Sequence, residues 1–87
     1  MIKIRKIGDN AYEVDVLDSV ETTHHVTLDD EYYKRLTSGI ISKEKLIEEA
    51  FGFLLEHEHN TEILTSFNLK VIEDYFPDFQ DKIKEQF

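Results

Sequence analysis

Ile2 and Ile4 alternate with Lys3 and Arg5, and after Gly8-Asp9-Asn10 the run AYEVDVL sets Tyr12, Val14 and Val16 against Glu13 and Asp15. A period of two belongs to a strand with one buried face, so the pattern predicts two strands joined by a short turn. Gly8, Asp9 and Asn10 tolerate positive φ, which a three-residue hairpin loop or a bulged turn uses. A third alternation follows the polar stretch DSVETT: His24, Val26 and Leu28 share one face, and Thr23, His25 and Thr27 the other.

The period then changes. In LDDEYYKRLTSG, Asp29 is placed to cap a helix whose first turn is acidic and whose last turn holds Lys34 and Arg35, matching the helix dipole at both ends. Gly39 is the expected left-handed stop, and Tyr32, Tyr33 and Leu36 form the expected buried side. Ser42 is the predicted N-cap of a longer helix reaching about His57, because Ile47, Ala50, Phe51 and Leu54 recur at steps of three and four. Leu46, Phe53 and Leu55 widen that stripe and predict contact on more than one side. After a short turn, Asn68 is placed to cap a further helix, with Phe67 and Ile72 at the spacing of a hydrophobic staple. Pro77 breaks the pattern and predicts a last helix carrying Phe79, Ile83 and Phe87 on one face.

Length limits this organisation to one domain with one modest core, since 87 residues bury roughly 60–65% of their unfolded surface. The absence of cysteine removes disulfides, thiolate nucleophiles and cysteine metal sites. No apolar run reaches signal-peptide or membrane-span length, so a soluble cytoplasmic protein that does not engage the membrane is expected. Nineteen acidic and ten basic residues give a net charge of −9, which opposes nucleic-acid phosphate at long range. The charge is uneven, because Lys3, Arg5 and Lys6 precede a stretch from Glu13 to Glu31 with seven acids and no Lys or Arg.

Chemistry is sparse against this background. His57 and His59 are two apart, so on a helix their rings point about 200° from each other, whereas zinc-binding helices space histidines by four. A solvated helix end, where a histidine also suits the dipole, accounts for them without a metal. His24 and His25 are adjacent on a strand and face opposite ways, His24 as a core-edge histidine and His25 toward the polar side. No Gly-rich phosphate loop or nucleophile elbow occurs, and the carboxylate pairs Glu48-Glu49 and Glu73-Asp74 are ordinary for helix surfaces. Neither an enzyme nor a cofactor is expected.

Two resemblances add to this. The order strand, short helix, longer helix across residues 22–57, TTHHVTLDDEYYKRLTSGIISKEKLIEEAFGFLLEH, resembles the ribbon-helix-helix family, in which strands from two chains form an antiparallel ribbon that reads DNA. That resemblance implies base contacts by Thr23, His25 and Thr27, and phosphate contact at Ser42 and Lys43. The segment ILTSFNLKVIEDYFP, of pattern ILxxFxLxVIxxYFP, is similar to one found in short bacterial proteins of unknown function, and implies a shared core more than a shared site.

The expected fold is therefore α+β: a three-stranded antiparallel meander packed by a central helix near residues 42–57, with shorter flanking helices, in one domain over residues 1–87. The expected function is a non-catalytic protein-interaction or regulatory module that binds a protein partner or a second copy of itself. Its candidate contacts are Thr23, His25 and Thr27 on the strand face and the aromatic segment Tyr75, Phe76, Phe79 and Phe87. A ribbon-helix-helix-like repressor or antitoxin is the alternative.

Overall fold

The computed structural model describes residues 1–87. Strands β1 (Ile2–Lys6), β2 (Ala11–Val16) and β3 (Thr22–Thr27) form the expected antiparallel meander, with Ile4 opposite Val14 and Val14 opposite His24. A fourth strand, β4 (Ser66–Asn68), pairs parallel to β3 with Val26 opposite Phe67, so the sheet is mixed and ordered β1-β2-β3-β4. The predicted three-stranded sheet is corrected to this extent. Three residues with one apolar side chain carry no readable period, and the pairing is imposed by the tertiary fold.

The turn between β1 and β2 has the shared acceptor of a bulged turn, one of the two forms expected. Ile7 and Gly8 N–H groups both donate to the Ala11 carbonyl, at 2.9 and 3.2 Å, closing a four-residue loop in which no φ is positive.

Helix α1 (Asp30–Thr37) buries Tyr32 and Leu36 as predicted, and also Thr37. The Thr37 hydroxyl donates to the Tyr33 carbonyl at 2.9 Å and accepts from Gly39 N–H at 3.0 Å, which makes its burial tolerable. Asp29 stands at the N-cap position without capping through its side chain, and the helix closes on two left-handed residues, Ser38 (φ 55°) and Gly39 (φ 75°). Helix α2 (Lys43–His57) starts where Ser42 accepts from Lys45 N–H and buries Leu46, Ile47, Ala50, Phe51, Phe53 and Leu54. Lys43 joins three elements, reaching Asn10 Oδ1 at 3.0 Å in the hairpin loop and pairing with Asp30 in α1. The hydrogen bond and charge of Lys43 hold the Asp30 carboxyl below its ordinary value, and the same bond raises the Lys43 ammonium.

Two glycines make opposite predictions. Gly39 sits at a φ that L side chains adopt only with strain, so Gly39→Ala is expected to cost about 1 kcal/mol although no atom lies within 4 Å of the added Cβ. Gly52, inside α2 with the same open space, needs no special conformation. Gly52→Ala is expected to add about 0.5–1 kcal/mol. Urea unfolding of the two variants checks the opposite signs.

Past α2 the chain turns through a single 3-10 turn (Asn60–Glu62), β4 and a second 3-10 turn (Leu69–Val71) into α3 (Ile72–Tyr75), and after Pro77 into α4 (Phe79–Lys84). Asn68 caps as predicted by accepting from Lys70 N–H, but the helix it starts is 3-10 for its first turn. One cluster of 18 buried apolar residues runs through β2, β3 and all four helices, and the helices supply it from one face of the sheet.

Candidate functional site

The residues predicted to meet a partner separate into two surfaces and the core. On the open sheet face Thr23, His25 and Thr27 are exposed, and each is engaged by a neighbour. Thr23 donates to Asp15 at 2.9 Å, His25 Nε2 lies 3.3 Å from Glu13, and Thr27 accepts from Asn68 at 3.0 Å. Arg5 pairs with the same Glu13 carboxylate, a cross-strand pair worth about 0.2–1 kcal/mol. This face is self-satisfied and partly acidic. Moreover, β3 is hydrogen-bonded to β2 along its length and to β4 over His25–Thr27, which removes the free edge that an intermolecular ribbon needs. Ser42 and Lys43, the phosphate contacts of that resemblance, are spent on the helix cap and on Asp30 and Asn10.

The aromatic segment divides differently from the sequence expectation. Phe79 is fully buried and serves the core, Phe76 is half-buried, and Tyr75 and Phe87 are exposed. Helix α4 ends at Lys84, so Phe87 leaves the face that Phe79 and Ile83 share. Pro77 explains Phe76: the residue before proline is driven to extended backbone, here φ −132° and ψ 87°, which ends α3 after one turn. The Phe76 ring is thereby laid on His57, with centroids 4.9 Å apart, while His57 also meets Phe53 at 4.6 Å. His57, the last residue of α2, is nonetheless exposed, as expected of a solvated helix end. One face of its ring is held in an aromatic stack.

Between α2 and this segment lies an apolar groove of about 130 Å³. Helix α2 contributes Leu54 and, at its C-cap, Glu58; the following turn contributes Glu62, Ile63 and Leu64. Phe67 of β4 forms part of the floor, its ring 6.0 Å from Phe51, and Val71, Ile72, Tyr75 and Phe76 close the far side. Two of these side chains, Leu64 and Tyr75, are 46% and 65% exposed, so the apolar lining continues onto the surface. No lining residue is basic. Burial first, and the neighbouring Glu62 charge second, raise the Glu58 carboxyl above its ordinary value, with His57 acting in the opposite sense.

The wall of the groove at Leu64 is fixed by a buried polar chain that the sequence did not reveal. His24, 1% exposed, donates from Nδ1 to the Leu64 carbonyl at 2.7 Å, because a carbonyl only accepts. Its Nε2 then accepts from the Thr22 hydroxyl at 2.9 Å. Asn60, fully buried, donates to Thr22 Oγ1 at 2.9 Å and to the Val20 carbonyl at 2.7 Å. His59 caps the 3-10 turn through a capping box with Glu62, whose carboxylate accepts from His59 N–H at 3.1 Å. The histidines that invited a metal reading are accordingly one stacked ring and one cap, and no group of three His, Cys, Asp or Glu in the fold is placed to hold a metal ion.

Elsewhere the fold holds the buried Tyr32 hydroxyl, without an aligned hydrogen bond, near Glu73, whose other oxygen accepts from Gln80. Burial first and then Glu73 push the Tyr32 phenol upward. No helix is long and apolar enough to cross a membrane. No protein family, curated protein or solved structure matches the chain.

Proposed function

We propose that the protein is a non-catalytic interaction module that binds another protein through the groove between the end of α2 and residues 62–76. The observation that carries this reading is the continuity of the buried apolar floor with the exposed side chains of Leu64 and Tyr75. Isolated exposed apolar residues are normal on soluble proteins, but a contiguous apolar concavity is what interfaces use for anchor residues. The open sheet face lacks any such surface, because its side chains pair among themselves.

A photoreactive phenylalanine analogue in place of Tyr75, introduced in the native host, would attach the bound protein covalently, and that protein would then be purified and titrated. Tyr75→Ala and Leu64→Ser are each expected to weaken its binding about tenfold or more, with Phe87→Ala as an exposed aromatic control outside the groove. Both groove variants should unfold within about 0.5 kcal/mol of the parent, as surface changes do. A purified partner that binds both variants as tightly as the parent would overturn the groove as its site.

A further inference from the structure

The groove has one dimension and one charge, and together they specify an occupant. Its volume, about 130 Å³, is of the order of a cavity that takes a single benzene-sized group. That is room for one anchor side chain, not for a packed helix face or an extended ligand. The charge comes from Glu58 and Glu62, which line the groove with no basic residue among its walls. Glu62 already accepts the His59 N–H through its Oε1, and Glu58 is half-buried beside it. Two carboxylates next to an apolar seat, with no basic residue in its lining, are complementary to a side chain that brings one.

Resting on the groove as a protein-docking surface, we propose that its occupant is a short amphipathic segment of another protein, which seats one leucine- or phenylalanine-sized side chain over Leu54, Phe67 and Ile72 and sets an adjacent Arg or Lys on Glu58 and Glu62. A second copy of this chain fits poorly. It carries nineteen acids against ten bases, and a symmetric contact through this face would bring four groove carboxylates together. Burial of Glu58 in the free protein has the same sense, since burial and the Glu62 charge outweigh His57 in disfavouring its ionised form, which a docked guanidinium would favour.

The test uses the full chain and synthetic helical peptides with one Leu anchor flanked by Arg, by Gln or by Glu, followed by heteronuclear NMR and calorimetry. The Arg peptide is expected to shift the resonances of Leu64, Phe67, Tyr75 and Phe76. It should bind about tenfold more tightly than the Gln peptide, and the Glu peptide should not bind. In Glu58→Gln/Glu62→Gln, which keeps a side chain able to complete the capping box, the Arg and Gln peptides should bind equally. Equal affinities in the parent protein, with shifts confined to the groove, would overturn the charge-selected partner while leaving the groove as a protein site. Peptide shifts elsewhere on the fold, no binding at millimolar peptide, or a dimer in sedimentation equilibrium that protects the groove would overturn the proposal. Loss of partner binding in Tyr75→Ala tests the underlying reading separately.

Discussion

Phe51→Ala is expected to leave the chain largely unfolded at 37 °C, or to lower its stability by about 3–5 kcal/mol if folding survives. The ring is fully buried where α2 packs against β3 and the edge strand β4, 5.5 Å from the His24 ring in β3 and 6.0 Å from Phe67 in β4. Truncation removes the transfer energy of a phenyl group and leaves a void between elements that are hydrogen-bonded to others and cannot close over it. A domain of this length has roughly 4–13 kcal/mol in total at about 0.05–0.15 kcal/mol per residue, so the loss is a large fraction of what exists. Phe87→Ala, at a residue 40% exposed beyond the end of α4, should stay within about 0.5 kcal/mol. Urea unfolding of both variants decides the matter. Equal midpoints would mean that the packing centre lies somewhere other than the middle of α2.

That centre was legible in the sequence because two independent signals agreed on it. Ser42 marks the start of α2, and the stripe from Leu46 to Leu54 marks its buried face; each is a short-range pattern with a fixed period. The three strands β1 to β3 were legible for the same reason, by alternation. What depended on long-range contact was not. Strand β4 is three residues long and becomes a strand only because β3 offers it an edge. Phe79 and Phe87 look equivalent at a spacing of eight, yet α4 stops at Lys84 and the phase that would align them is lost.

The groove combines both cases. Its apolar composition stood out in ILTSFNLKVIEDYFP, but which side chains line it follows from Pro77, which places Phe76 on His57 and leaves Tyr75 exposed at the rim. Asn60 gave no signal at all. It lies in a polar stretch with no periodicity, and its burial is made possible by carbonyl and hydroxyl partners forty and thirty-eight positions away.

That residue supplies the second large effect: Asn60→Asp is expected to destabilise the protein at neutral pH by about 3–5 kcal/mol, the scale of an uncompensated buried charge. The carboxylate would set an oxygen where Nδ2 now donates to Val20 at 2.7 Å, acceptor against acceptor, and its second oxygen would take the place of Oδ1, which already has no partner. Asn60→Ala removes the donor without adding a charge and should cost less, about 1–3 kcal/mol. The carboxyl of the aspartate variant would be displaced upward in the folded state from about 3.9 in the unfolded chain, because only its protonated form can donate to Val20. The folded state then holds more protons than the unfolded one, so stability falls as pH rises from about 4 to the folded-state value and is level above it. Urea unfolding at pH 5.5 and pH 8, both clear of the pI of about 4.7, should show a deficit relative to the parent that is larger at pH 8 by about 1 kcal/mol or more. A deficit equal at the two pH values, or no greater than that of Asn60→Ala, would mean that position 60 is open to water. Because the same chain of hydrogen bonds runs through Thr22 and His24 to the Leu64 carbonyl, the aspartate variant should also loosen the groove wall, and its affinity for a groove ligand should fall with its stability.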